Sequence, residues 1–165
     1  MQLINLTKFS KLLKYWLAYV LFAFLPLLIG TYIYLSLSKT TPLLLYINKY
    51  SLLQKIYDLI PKYFEYSIIS ILLKNYFIDY LWGFSFSFTL YPAISVLSRK
   101  PKHTVIFVVT LSGFIYEIMQ YFSIFNGTGD IIDVLLYFLA SITSVIVIGK
   151  WFEHDNHKMI FIEKS

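Results

Sequence analysis

Four long apolar runs, separated by short charged or turn-rich stretches, organise this sequence. The first, 15–35, reads "YWLAYVLFAFLPLLIGTYIYL" and holds no charged residue. The second covers about 78–97, the third 104–121 and the fourth 131–149. Each is close to the roughly 20 helical residues that cross a hydrocarbon core of about 30 Å. The pattern predicts an all-α, polytopic membrane protein with four transmembrane helices in a single membrane domain, 1–165. Pro26 is expected to kink the first span, a break that neighbouring helices can compensate. That run is too long for a signal-peptide core, and no small-residue cleavage site follows it, so an uncleaved first helix is expected.

Between the first and second runs lies a connector, 36–77, that is patterned rather than loose. In "PLLLYINKYSLLQKIYDLI" the residues Leu45, Leu52, Leu53, Ile56, Leu59 and Ile60 recur at near-helical spacing, with lysines between them. Pro61 interrupts, and "YFEYSIISILLKNY" resumes as a second apolar and aromatic run. This predicts one or two amphipathic helices lying in the membrane interface, with tyrosines at headgroup depth.

Composition supports the membrane reading. Hydrophobic residues make up 58% of the 165 and charged residues 14%, and the mean hydropathy is +0.67. There is no cysteine, which excludes disulfides and thiolate metal sites. The net charge of +5 does not mark a nucleic-acid surface, because the lysines gather at the ends of apolar runs. Lys8, Lys11 and Lys14 precede the first span. Arg99, Lys100 and Lys102 join the second to the third, and Lys150, Lys158 and Lys164 follow the fourth. These groups share one side, so both termini are expected in the cytoplasm of a cell-membrane protein. The link "SIFNGTGD" carries no positive charge and is expected outside. Lys39, Lys49, Lys55, Lys62 and Lys74 of the connector run against that rule.

Against this background the acids are informative. Asp79 opens the second span, Glu117 and Gln120 lie near the end of the third, and Asp130 and Asp133 begin the fourth. Glu117 is thirteen residues beyond Thr104, about 20 Å of helical rise. Gln120 is its neighbour one turn on. Five polar residues from three helices therefore converge at one depth, below the outer surface. A carboxylate at helix-centre depth costs about 2.5–3.5 kcal/mol on insertion scales, so such residues face the bundle interior or a wet cavity. Either Glu117 is protonated and bonded to Gln120, or it is ionised against a cation.

Each residue also has a purely structural role open to it. Asp130 follows Gly129 and fits a helix N-cap; Asp79 fits an interfacial helix start. Asp133 gains from the helix dipole, and Glu117 with Gln120 can form an interhelical hydrogen bond. "NGTG" at 126–129 has turn chemistry but lacks the Lys and Ser/Thr of a phosphate loop. Asn126-Gly127-Thr128 is formally a glycosylation sequon. The tail residues His154, Asp155 and His157 read as a solvated end. No serine–histidine pair or metallopeptidase motif falls in the membrane segments, no metal site is assigned, and no motif names a cofactor.

"EIMQ" (Glu117 to Gln120), a short Gly-containing link, and "DIIDVL" (Asp130 to Leu135) together resemble the VanZ-like family of small bacterial membrane proteins. There a helix bearing Glu-x-x-Gln is followed by a loop and an Asp that begins a final helix. The stretch "IDYLWGFSFSFTLYP", with Asp79 and Trp82, resembles an earlier family helix, and the likeness covers about 79–149. The family's final helix commonly carries Asn and Gly where Tyr137 and Ala140 stand, and a loop arginine is replaced here by Thr128 or Gly129. Tyr137 retains a hydrogen-bond donor, and Ala140 still permits close helix contact. The resemblance implies a cell-envelope membrane protein, and the founding member is associated with teicoplanin resistance.

Two functions follow as expectations. The first is a non-enzymatic envelope protein with an outward-opening acidic pocket. Its partners would be the bilayer and a cationic, sugar or lipid head group, such as that of a cell-wall precursor or a glycopeptide. The second is an intramembrane enzyme whose paired carboxylates hold Mg²⁺ or act as acid and base on a lipid-linked substrate. It needs a basic residue, and Lys74 is the nearest. An ion-coupled transporter is a third reading, weakened for a monomer by the lack of an inverted repeat, though compatible with an oligomer.

Overall fold

The computed structural model describes residues 13–37, 47–61, 67–125 and 129–153. Among these the regular structure is helical, with no strand. Four helices are long and apolar enough to cross a membrane: α1 (Leu13–Leu37), α3 (Ile68–Leu97), α4 (Pro101–Tyr121) and α5 (Ile131–Trp151). A short amphipathic helix, α2 (Ser51–Asp58), lies between the first two. Lys8, Lys11, Lys39, Leu45, Lys62, Lys158 and Lys164 lie outside the described residues, as do the 126–128 sequon and the His154, Asp155 and His157 tail.

The outward faces of the long helices are apolar, as lipid contact requires. Trp16, Leu17, Phe24 and Leu28 of α1 and Leu135, Leu139 and Ile146 of α5 are exposed. Within the bundle, α3 is the hub: α1, α4 and α5 all pack on it, and α4 and α5 also pack on each other. Ala18 and Ala23 of α1, Phe88 of α3 and Ile148 of α5 form one buried cluster. Tyr19 meets the Phe88 ring edge-on at 5.6 Å, and Phe22 meets Trp151 at 5.2 Å. A second cluster joins Ile94, Val105, Val109 and Val145. Some buried hydroxyls bond within their own helix, as in Ser87 Oγ to Gly83 O at 2.7 Å. Ser85 donates across to Ala23 O of α1, and the hydroxyls of Ser36, Thr110 and Ser144 have no partner among the described residues.

The expected break in α1 takes a definite form. A π-helical turn, Val20–Phe24, directly precedes the Leu25–Pro26 step. Proline has no N–H to donate and its ring crowds the carbonyl four residues back, and a wider turn there relieves both problems.

The second span differs from its predicted bounds. The run after Pro61 is not wholly a separate interfacial element: from Ile68 it is continuous with the span, giving a helix of 30 residues. Ser67 caps it, accepting from Ser70 N–H at 3.1 Å. The Lys74–Asn75 pair, which looks like a break, sits inside a π-helical turn, Leu73–Phe77. Thirty residues rise about 45 Å, more than a hydrocarbon core of about 30 Å. The helix is thus longer than one upright crossing requires. Asp79 consequently does not start its helix; it lies eleven residues inside it.

Candidate functional site

The site is built by the turn between α4 and α5. α4 ends with Ser123 in the left-handed region (φ 55°). Ser123 N–H donates to Gln120 O at 2.8 Å and Ile124 N–H to Met119 O at 2.9 Å. This pair of bonds is a Schellman closure, with serine where glycine is usual. The chain reverses there, and Gly129 returns against α4. A Cβ on Gly129 would lie 2.7 Å from Glu117 O and 3.1 Å from Tyr121 Cβ, so only glycine fits this approach.

Asp130 then meets Glu117. Its backbone N–H donates to Glu117 Oε2 at 2.8 Å, and its own Oδ1 accepts from Ile132 N–H at 2.9 Å. Asp130 is thus the N-cap of α5, as its position predicted. Glu117, only 7% exposed, supplies the acceptor for a helix-start N–H that would otherwise lack one. The carboxylate in an apolar helix therefore ties the loop and α5 to α4.

These residues line one cavity of about 440 Å³. Asp79 of α3, Glu117 and Gln120 of α4, and Asp130 and Asp133 at the start of α5 all border it. All five sequence-predicted polar residues thus share one space. The wall also includes Lys74 of α3, the basic residue nearest the site in the sequence, together with Tyr34 of α1, Tyr76 and Trp82 of α3, and Tyr116 of α4, which sequence reasoning did not place there. Tyr34 was invisible because its link to the site is a ring contact with Trp82 at 5.7 Å.

Four carboxylates therefore face one lysine. When ionised, these carboxylates around one cavity repel one another and attract cations. Asp133 Oδ1 is buried and has no hydrogen-bond partner among the described residues. An acceptor left in that state costs about 1–3 kcal/mol. Among the described residues, no three carboxylate or imidazole side chains are grouped to hold a metal ion.

Tyr137 and Ala140 form the floor on which this end of the bundle closes. The Tyr137 ring is wedged between two glycines. A Cβ on Gly113 would lie 2.8 Å from the ring, and one on Gly83 would lie 3.0 Å from it and 3.2 Å from Ala140 Cβ. Ala140 is fully buried. Small residues on α3 and α4 thus admit an aromatic residue from α5, and Tyr137 itself reaches the cavity wall. No family model, curated protein or solved structure matches this chain.

Proposed function

We propose that this chain is a VanZ-like protein of the bacterial cell envelope. Its acidic cavity opens outward and binds a cationic, sugar or lipid head group, and the protein contributes to teicoplanin resistance. The observation that carries the reading is the gathering of Asp79, Glu117, Gln120, Asp130 and Asp133 from three helices around one cavity. Among them is a buried carboxylate oxygen without a donor. Structural needs account for part of the cluster: Asp130 caps a helix and Glu117 anchors it. The Asp79 and Asp133 side chains have no such duty among the described residues, and buried acids without one are read as functional by default. The Glu-x-x-Gln and following Asp supply the family likeness.

The test is expression in a teicoplanin-susceptible bacterium, with the inhibitory concentration as readout. The intact chain is expected to raise it. Asp133→Asn and Glu117→Gln, present in the membrane at equal level, are expected to abolish the rise. Full protection by both variants would remove the cavity from the function. No protection by the intact chain would remove the resistance link.

One observation favours a second reading. An intramembrane enzyme acting on a lipid-linked or cell-wall substrate needs a cation for phosphate, and Lys74 lines the same cavity. Metal-dependent turnover of a lipid-linked precursor by the purified protein would decide for it.

A further inference from the structure

The acidic cavity does not end at its polar wall. Trp82, Tyr116 and Tyr137 border it on one side and, on the other, line a groove of about 460 Å³. The groove runs over α3 between α1 and α4, and Leu27, Ser85, Phe86, Thr89, Ser112 and Gly113 complete it. Its three aliphatic hydroxyls, of Ser85, Thr89 and Ser112, are already engaged. Ser85 donates to Ala23 O, Thr89 to Ser85 O at 2.9 Å, and Ser112 to Val108 O at 2.8 Å. What they leave toward the groove is apolar surface. At its rim Leu27, Phe86 and Tyr116 are exposed on the lipid-facing side of the bundle.

The dimensions suit one leaflet. From Asp79 to Thr89 is ten residues, about 15 Å of rise, half of a hydrocarbon core of about 30 Å. A polar cavity thus adjoins an apolar groove across the rings of Trp82, Tyr116 and Tyr137, and the two together extend about one leaflet, the shape of an amphiphile. The charge pattern selects the head: three carboxylates (Asp79, Glu117, Asp133) suit a cationic amine, and Lys74 on the same wall suits a phosphate.

Resting on the reading of the cavity as a head-group site, we propose that its ligand is a membrane phospholipid whose head group carries a primary amine. The amine lies among Asp79, Glu117 and Asp133, and one hydrocarbon chain lies in the groove between α1 and α4. The Asp133 carboxylate, on the cavity wall, receives one of the ammonium hydrogens.

Native mass spectrometry of the full chain, released from detergent, tests this with three probes. They are phosphatidylethanolamine, phosphatidylglycerol with the same chains, and water-soluble phosphoethanolamine. Phosphatidylethanolamine is expected to bind at least about tenfold more tightly than either of the others, a difference of one favourable contact. Asp133→Asn, and Asp79→Asn as an independent variant, should erase the preference over phosphatidylglycerol. Ser112→Phe, which fills the groove, should weaken phosphatidylethanolamine but leave phosphoethanolamine unchanged. Equal binding of phosphoethanolamine and the lipid would overturn the groove while leaving the head-group site standing. Equal binding of the two lipids would overturn selection of the amine. Failure of the folded protein to bind any of the three would overturn both this proposal and the head-group reading.

Discussion

Gly113→Leu is expected to lower the stability of the bundle by about 1–3 kcal/mol, the usual cost of overpacking. The cause is local and steric. Even the first added carbon would sit 2.8 Å from the Tyr137 ring, and that ring cannot retreat because Gly83 closes its other side. In a bilayer there is little hydrophobic force between helices, so close packing of small residues carries much of the association. Unseating Tyr137 therefore loosens α4 and α5 against α3 together and distorts the cavity they enclose. Thermal unfolding in detergent measures the loss. Combining Gly113→Leu with Tyr137→Ala is expected to cost less than the two single losses added, because the clash disappears with the ring. Simple additivity would mean that the glycine and the tyrosine do not share this contact.

Glu117→Ala is expected to cost about 1 kcal/mol, the loss of a hydrogen bond from a half-buried donor. The donor is the Asp130 N–H, held by Glu117 Oε2 at 2.8 Å. Glu117→Gln keeps an acceptor oxygen at that place and removes only the charge, so it should retain most of the stability and lose ligand. Hydrogen exchange at the Asp130 amide separates the two variants. It should accelerate strongly in the alanine variant and little in the glutamine variant. Equal acceleration in both would show that charge, not the hydrogen bond, holds the start of α5.

The four spans were legible because lipid imposes so plain a demand on composition: each shows as a long, predominantly apolar run. The polar residues of the site were legible for the same reason, since Glu117 and Asp133 stand out against Phe, Ile and Leu. The first ten residues of α3 were not legible. Lys74 and Asn75 interrupt the apolar run, and periodicity does not distinguish a break from a helix turn that carries a lysine on its polar side. Nor does one chain's pattern reveal contacts between helices. That Glu117 would serve the backbone of Asp130, and that Tyr137 would seat itself between Gly83 and Gly113, depend on how α4 and α5 cross. The asparagine and glycine expected by family likeness at 137 and 140 are replaced by an aromatic wedge and an alanine that meet two glycines. The departures thus have a packing rationale of their own.

The central claim is that these residues form a water-accessible, negatively charged cavity that receives cations from outside the cell. Because the chain has no cysteine, a single Gln120→Cys places one reporter thiol on the cavity wall and leaves all four carboxylates intact. Membrane-impermeant cationic and anionic methanethiosulfonate reagents, applied to intact cells, then compare its rates of modification. After correction for their rates with a free thiol, the cationic reagent should react at least about tenfold faster, an attraction of one ion pair in a partly dry site. Equal corrected rates, or no reaction from outside, would contradict the account.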